Sequence, residues 1–206
     1  MKLQEQAIGA AFLVQPWKAL TYNDIRRISG SKSKSYIYKA LSHLIYGGIL
    51  STEQVGKSLL YKLNLYSTRA QSYLGLLNEH ISWFAGHMPH QRIETIASKI
   101  PTSFFVFIVT GSYAKKKHTT RSDLDVTIII DDSSNTKSAM AEIKNESMLG
   151  IPQVHPFVFT RSQFIEMLLD KKENYGKEVA RHNNILYGGA IYYNMLNEAI
   201  QHGFKG

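Results

Sequence analysis

Apolar residues recur at helical spacing through the first part of the chain. The pattern predicts three helices, over residues 4–14, 24–29 and 33–46. In the third helix the apolar positions follow the spacing i, i+4, i+7 and i+8, and they are occupied by Ile37, Leu41, Leu44 and Ile45. Gly47 and Gly48 follow at once, and such a pair ends a helix because glycine is a poor helix former. The N-terminal segment is therefore expected to be mostly helical.

The pattern becomes strand-like after residue 48. Residues 49–54 and 58–64 form two β-like runs, and Val55-Gly56-Lys57 between them indicates the turn of a hairpin. This is the order of elements in a winged helix-turn-helix domain: a helix, a short helix, a turn, a third helix and a hairpin. Residues 20–50, LTYNDIRRISGSKSKSYIYKALSHLIYGGIL, followed by this hairpin, resemble that family. The resemblance implies an N-terminal winged helix-turn-helix domain over residues 1–66.

The resemblance also implies a surface that binds duplex DNA. In such domains the third helix enters the major groove. Most of the residues expected to face DNA lie on that helix or just before it, and Lys57 lies at the tip of the wing. The set is Lys32, Lys34, Ser35, Tyr38, Lys39, Ser42 and Lys57. Residues 1–85 carry ten Lys and Arg against four Asp and Glu, a net charge of +6 out of +8 for the chain. A basic half favours a polyanionic partner, although a domain of this kind can also serve protein contacts alone.

A long amphipathic helix over residues 68–85 comes next, and Gly86 and Pro89 break the pattern. We interpret residues 67–86 as a connecting helix. It would either pack within the chain or act as the arm of a homodimer. The remaining residues, 87–206, are expected to form a second domain.

The second domain alternates between strand and helix patterns. Apolar runs predict strands over residues 104–109, 124–130 and 153–159. Helices are expected over residues 90–99, from a cap at 131–134 to Met148, from a cap at 160–163, and over 188–201. Tyr192 and Tyr193 in the last helix are expected to fill the core. The alternation predicts an α+β fold in which a small mixed sheet is flanked by helices.

The residues that could bind a ligand or catalyse a reaction lie between the first two of these strands and at the start of the second. Gly111 follows the first strand and would let the backbone approach a phosphate, and the amides of Ser112 and Tyr113 would open a helix whose positive end favours anions. Asp123 and Asp125 are two apart in a β segment, so their carboxylates project to the same face. Neighbouring carboxylates repel each other unless a cation lies between them, and oxygen ligands suit Mg²⁺ or Mn²⁺.

Together these residues resemble the minimal nucleotidyltransferases of the DNA polymerase β-type superfamily. The pattern of that branch is Gly-Ser-x-Ala-Arg-Gly, five residues, then Ser-Asp-x-Asp. Here the pattern is Gly111-Ser112-Tyr113-Ala114-Lys115-Lys116, then Ser122-Asp123-Leu124-Asp125. The spacing is kept, but Lys116 stands in place of the second glycine.

The resemblance implies a reaction and a set of site residues. A nucleoside monophosphate would pass from a nucleoside triphosphate to a hydroxyl of a protein or RNA, with two metal ions held by Asp123 and Asp125. The residues expected at the nucleotide are Gly111, Ser112, Tyr113, Lys115 and Lys116. Some relatives act as toxins or antitoxins, so a toxin–antitoxin role is a further expectation.

The third carboxylate of the family pattern is missing from this sequence. The corresponding strand, residues 153–160, contains no Asp or Glu, and His155 stands in the neighbourhood where that acid is expected. His155 could serve as a base near neutral pH. Three alternatives remain: an enzyme with two carboxylates, an enzyme assisted by His155, and a relic that binds nucleotide. The relic would be a DNA-binding regulator or antitoxin without catalysis.

The composition of the chain excludes some kinds of site and indicates where the protein is expected in the cell. The chain has no cysteine, which excludes disulfides and thiolate metal sites. No apolar run approaches the roughly 18 residues of a membrane helix, and the N-terminus lacks a signal-peptide pattern, so a cytoplasmic protein without a membrane partner is expected.

Overall fold

The computed structural model describes residues 3–206. Its N-terminal half contains helices and a small antiparallel sheet. The elements are α1 (Leu3–Ala11), β1 (Leu20–Thr21), α2 (Tyr22–Ser29), α3 (Lys34–Tyr46), β2 (Leu50–Val55), β3 (Ser58–Leu63) and α4 (Thr68–Trp83). They agree with the predicted helices and hairpin to within a few residues at each end.

Side-chain caps define the turn between α2 and α3. The backbone N–H of Asp24 donates to Oγ1 of Thr21 at 3.2 Å, and the Asp24 carboxylate accepts from the Thr21 N–H at 3.1 Å. This reciprocal pair satisfies N–H groups that a helix start leaves without partners. Gly30 ends α2 with φ of 65°, and the Ser33 hydroxyl accepts from the N–H of Tyr36 to begin α3. The turn that carries Lys32 is therefore fixed at both ends.

One strand and one exposed residue differ from the sequence prediction. The two-residue strand β1 was not predicted; it pairs with β3, with Leu20 opposite Tyr61, and gives a sheet of order β1-β3-β2. Two residues are too few to show a strand period. On α3, Ile45 was expected in the core but is 37 % exposed. A helix turns 100° per residue, so an eighth position drifts to the edge of the apolar face.

The helix α4 packs within the chain, against the last helix α10 (Gly189–Gln201). A Cβ added to Gly75 would overlap the backbone of Gly189 and Ala190, so the two helices approach more closely than larger residues would allow. The hydrophobic core beneath them is continuous from the N-terminal helices to α10, and includes Phe12, Ile37, Leu74, Tyr192 and Leu196. Tyr192 and Tyr193 are each 1 % exposed, as the sequence predicted.

The C-terminal half is built on a four-stranded mixed sheet. Its elements before α10 are α5 (His90–Ala97), β4 (Phe105–Val109), α6 (Gly111–Ala114), β5 (Leu124–Ile130), α7 (Thr136–Ser147), β6 (Val154–Thr160), α8 (Arg161–Leu169), α9 (Tyr175–Arg181) and β7 (Asn184–Tyr187). The strand order is β6-β5-β4-β7; β5 and β6 run parallel, and β4 is antiparallel to both its neighbours. The predicted α+β class with a mixed sheet is confirmed.

Residues 131–134 do not cap α7 as predicted. The cap is Asn135, whose side chain accepts from the N–H groups of Lys137 and Ser138. Asp131 instead accepts from Ser133 and Ser134, and Asp132 accepts from Ser162 at the start of α8. Several residues in this turn can cap a helix, and the tertiary contact of Asp132 with α8 determines which one does.

Two short elements, α9 and β7, have no counterpart in the prediction. Seven and four residues are too few for a periodic apolar pattern. β7 pairs with the outer edge of β4, and α9 lies against α8. One face of the sheet is covered by α5 and α7, and the other by α4, α8 and α10. No helix among residues 3–206 is both long and apolar enough to span a bilayer.

Candidate active site

The turn after β4 brings Gly111 against the carboxylate of Asp125. Val109 pairs with Val126, and the N–H of Thr110 donates to the carbonyl of Asp125 at 2.9 Å, which extends the β4–β5 pairing to the turn. Gly111 has φ of 61°, and a Cβ on it would overlap the Asp125 side chain. Only glycine fits both the backbone conformation and the space. The sequence assigned this glycine to a phosphate, whereas the structure shows that it also accommodates a carboxylate.

Asp123, Asp125 and His155 lie together at this edge of the sheet. In the parallel pairing of β5 with β6, His155 stands opposite Asp125. Its Nε2 is 3.7 Å from Oδ2 of Asp123, and its Nδ1 is 3.8 Å from Oδ1 of Asp125. These separations exceed a hydrogen bond, but they are close enough for strong electrostatic interaction. The imidazole therefore bridges the two carboxylates.

Burial raises the pKa of the Asp125 carboxyl, and the negative charges of Asp123 and Glu178 raise it further. His155 and Lys115 act in the opposite direction. The Asp125 side chain is 32 % exposed, so solvent screens part of these interactions. A half-buried carboxylate next to another carboxylate gains from a nearby cation, which is the electrostatic condition for a metal ligand.

The structure places the side chains of the predicted nucleotide-binding residues after Gly111 in different surroundings. Tyr113 is 7 % exposed and stacks on His118 with ring centroids 4.3 Å apart, so its ring fills the core and only its backbone is available to a nucleotide. Ser112 is partly exposed beside Gly111, and Lys116 is exposed. Lys115 forms an ion pair with Glu178, from Nζ to Oε1, at 2.6 Å.

Sequence reasoning missed Tyr175 and Glu178, which α9 brings to the site. The hydroxyl of Tyr175 lies 3.0 Å from Oγ1 of Thr110 and 2.9 Å from Oγ1 of Thr127. These contacts fix α9 against Thr110, the residue between β4 and Gly111, and against the middle of β5. No recognisable motif surrounds either residue, so only their place in the fold could have identified them.

Lys116 adopts a backbone conformation that suits glycine. Its φ is 55°, and it is the non-glycine residue with positive φ within residues 3–206. It occupies the position of the second glycine in the family pattern, which accounts for the left-handed geometry there.

We therefore expect Lys116→Gly to relieve backbone strain. The free energy of unfolding of Lys116→Gly should exceed that of Lys117→Gly by about 1–2 kcal/mol, because Lys117 has no such strain to lose. Both variants remove one exposed lysine, so Lys117→Gly controls for charge. Urea unfolding of both proteins measures the difference, and equal stabilities would contradict the assignment of strain to Lys116.

The donor atoms at Asp123, Asp125 and His155 are of the types that bind Mg²⁺ or Mn²⁺. Among the described residues, no group of three or more His, Asp and Glu side chains is arranged as a metal site. The imidazole of His155 stands between the two carboxylates and its side chain is 56 % exposed. The residues therefore fit a divalent cation in chemistry, provided that the exposed imidazole turns aside or becomes a ligand.

The residues predicted to face DNA all lie on the surface of the N-terminal half. The exposed set is Lys32, Lys34, Ser35, Tyr38, Lys39, Ser42 and Lys57. Tyr38 stacks on Tyr22 with centroids 4.9 Å apart, and Nζ of Lys34 lies 5.9 Å from the centroid of the Tyr38 ring. Gly56, with φ of 58°, forms the tip of the hairpin next to Lys57. None of these four lysines takes part in an ion pair among residues 3–206.

Comparison with known families finds a match over the residues that contain this site. Residues 93–182 match the family model described as nucleotidyltransferase domain. The match supports the nucleotidyltransferase superfamily and nucleotidyl transfer as the general activity. It includes the Gly111 turn, Asp123, Asp125, His155 and Glu178, while the N-terminal helices and hairpin lie outside it. Comparisons with curated proteins and with solved structures gave no significant match.

Proposed function

We propose that the chain transfers a nucleoside monophosphate from a nucleoside triphosphate to a hydroxyl of a protein or nucleic acid, with Mg²⁺ or Mn²⁺ as cofactor. The observation that carries this proposal is the meeting of Asp123, Asp125 and His155 beside the Gly111 turn. The match to a nucleotidyltransferase domain supports a triphosphate as the substrate.

Each residue of the site has a distinct part in this proposal. Asp123 and Asp125 hold the divalent cation, which supplies positive charge to the phosphates when bound. Gly111 and Ser112 receive the triphosphate at the end of β4, and Lys115 and Lys116 neutralise its charge. His155, in register with Asp125, contributes the third side chain at the place where the family pattern has an acid.

The N-terminal half is proposed to bind duplex DNA as a winged helix-turn-helix. The order α1, α2, α3 and hairpin, the fixed turn before α3 and the unpaired surface lysines support this. The proposed division is residues 1–66 for this domain, 67–86 for the connecting helix and 87–206 for the nucleotidyltransferase domain. A continuous core beneath α4 and α10 joins the N-terminal helices to one face of the four-stranded sheet.

One observation favours a second function, that of a DNA-binding regulator or antitoxin whose nucleotidyltransferase domain no longer catalyses. His155 stands in place of an acid and faces both carboxylates at less than 4 Å. An imidazolium there would offset one of the two negative charges without a metal ion. Under this alternative the domain binds nucleotide but transfers no nucleotidyl group, and the DNA-binding surface carries the function.

Thermal unfolding with ligand tests the binding of nucleotide and metal, which the catalytic proposal requires. With Mg²⁺ and ATP at about ten times their dissociation constants, the catalytic proposal predicts a rise of roughly 3–6 °C in Tm, because both ligands bind the folded state only. The double substitution Asp123→Asn, Asp125→Asn should remove the metal-dependent part of that rise. The matched control, Asp131→Asn with Asp132→Asn, changes two acids at the opposite end of β5 and should keep it.

The direct assay is incubation of the chain with α-phosphate-labelled triphosphates, Mg²⁺ and cell extract. A labelled protein or RNA, absent with Asp123→Asn, Asp125→Asn, supports transferase function. A Tm shift at millimolar ATP without a labelled acceptor would favour the regulator, and the absence of both would contradict nucleotide binding.

A further inference from the structure

The ion pair between Lys115 and Glu178 lies at the mouth of the site. Lys115 ends the turn that follows Gly111, and Glu178 lies on α9 one helical turn after Tyr175. Because residues i and i+3 share a face of a helix, Glu178 points the same way as the Tyr175 hydroxyl, which is bonded to Thr110 and Thr127. The two side chains of the ion pair are 35 % and 49 % exposed. Glu178 is therefore held at the edge of the site but accessible to solvent.

A cleft of about 470 Å³ opens beside this ion pair. It is lined by Lys115, Glu173, Asn174, Glu178, Arg181 and His182. Arg181 donates to both carboxylate oxygens of Glu173, at 2.7 and 2.9 Å. Each of these two side chains therefore already has its partner in the other. Glu178 is the cleft carboxylate that also acts on Asp125, since its charge raises the pKa of that carboxyl. Glu178 therefore borders the cleft on one side and is close enough to Asp125 for its charge to act on that carboxyl.

His155 is poorly placed to take a proton from an acceptor. An imidazole has two nitrogens, and those of His155 face Asp123 and Asp125. In this orientation each ring nitrogen is directed at a carboxylate rather than at the cleft, so His155 would have to turn before it could accept a proton from a third group. The transfer reaction still needs a group that accepts the proton of the attacking hydroxyl.

We propose that Glu178 is that proton acceptor, and that Lys115 covers it until a triphosphate is bound. This inference rests on the proposed transferase function. The triphosphate attracts Lys115, the ion pair opens, and the freed carboxylate receives the acceptor hydroxyl in the cleft. The acceptor O–H bond breaks and its proton passes to Glu178. The oxygen forms a bond to the α-phosphorus, and the bond from that phosphorus to the bridging oxygen breaks, so that pyrophosphate leaves with the electron pair.

The test compares Glu178→Gln and Lys115→Met in the full chain, with two separate measurements. Glu178→Gln should slow labelling of the acceptor about a hundredfold or more, which is the usual effect of losing a general base. Its affinity for ATP with Mg²⁺, measured by calorimetry without acceptor, should rise about twofold to fivefold because Lys115 loses an exposed competing partner. Lys115→Met should weaken ATP binding about tenfold. Glu178→Asp should restore part of the rate.

Matched controls are Glu166→Gln on α8 and Lys172→Met in the following loop, both exposed and outside the cleft. These should leave both measurements unchanged. An active wild type together with a Glu178→Gln rate within about threefold of it would overturn the role of Glu178, because a general base contributes far more, while the proposed function would stand. Unchanged ATP affinity in both test variants would overturn the role of Lys115. A wild type that labels no acceptor would contradict the proposed function itself.

Discussion

Replacing Asp125 by asparagine is expected to reduce nucleotidyl transfer about a thousandfold or more, since it removes a negative ligand from a site that must concentrate positive charge around the phosphates. Asp125 is the carboxylate packed against Gly111 and aligned with His155, so asparagine can take its place without steric change. The rate of acceptor labelling measures the effect. Asp131→Asn, at the other end of the same strand, should retain the wild-type rate.

The same substitution should increase the stability of the metal-free protein. Burial raises the pKa of Asp125 in the folded state, so its ionised form destabilises the fold at neutral pH. The gain from Asp125→Asn should be complete above the folded pKa and should disappear as pH falls below the ordinary value of 3.8, where both states are protonated. Unfolding by urea in a chelating buffer across this pH range measures it.

Asp131→Asn should have the opposite effect on stability. Hydrogen bonds from Ser133 and Ser134 lower the pKa of Asp131, so its carboxylate form stabilises the fold at neutral pH, and that stabilisation is lost as pH falls through the lowered value. If Asp125→Asn were instead both active and destabilised, Asp125 would be a structural carboxylate and the proposed metal site would be wrong.

Removing Lys32, Lys34 and Lys39 together is expected to weaken duplex DNA binding by about a hundredfold or more at low salt. Each lysine that contacts a phosphate releases a counterion, so the slope of log K against log salt should become shallower by about 3. The loss should be similar for all DNA sequences, because phosphate contacts carry no sequence information. Gel-shift titrations at several salt concentrations give both the affinity and the slope.

The matched control removes Lys144, Lys171 and Lys172, which are exposed in the C-terminal half of the chain. It lowers the net charge by the same amount and should leave the slope unchanged. Ser35 and Tyr38 provide a second comparison, since their substitution should matter only where bases are contacted. Equal, salt-insensitive behaviour of the wild type and the Lys32, Lys34, Lys39 variant would mean that this surface contacts protein rather than DNA.

The sequence alone was sufficient to predict the long elements, and its motif selected the two aspartates of the candidate site. The helices α3, α4 and α10 and the strand β5 each contain enough residues to show an apolar period, and local periodicity is a property of the chain itself. The pairing of Gly111-Ser112 with Asp123 and Asp125 was visible for a similar reason, since a motif is a fixed spacing along one segment. Its match to a nucleotidyltransferase domain agrees with that prediction.

Only the tertiary structure decided which further side chains reach those residues. His155 is thirty residues beyond Asp125, and its contact with both carboxylates follows from the parallel register of β5 with β6. Glu178 comes to the site because Tyr175 ties α9 to the end of β4 and to the middle of β5. Strand register and helix docking are set by packing between distant segments, so no local pattern contains them. For the same reason the sequence could name the two aspartates but not the groups that surround them.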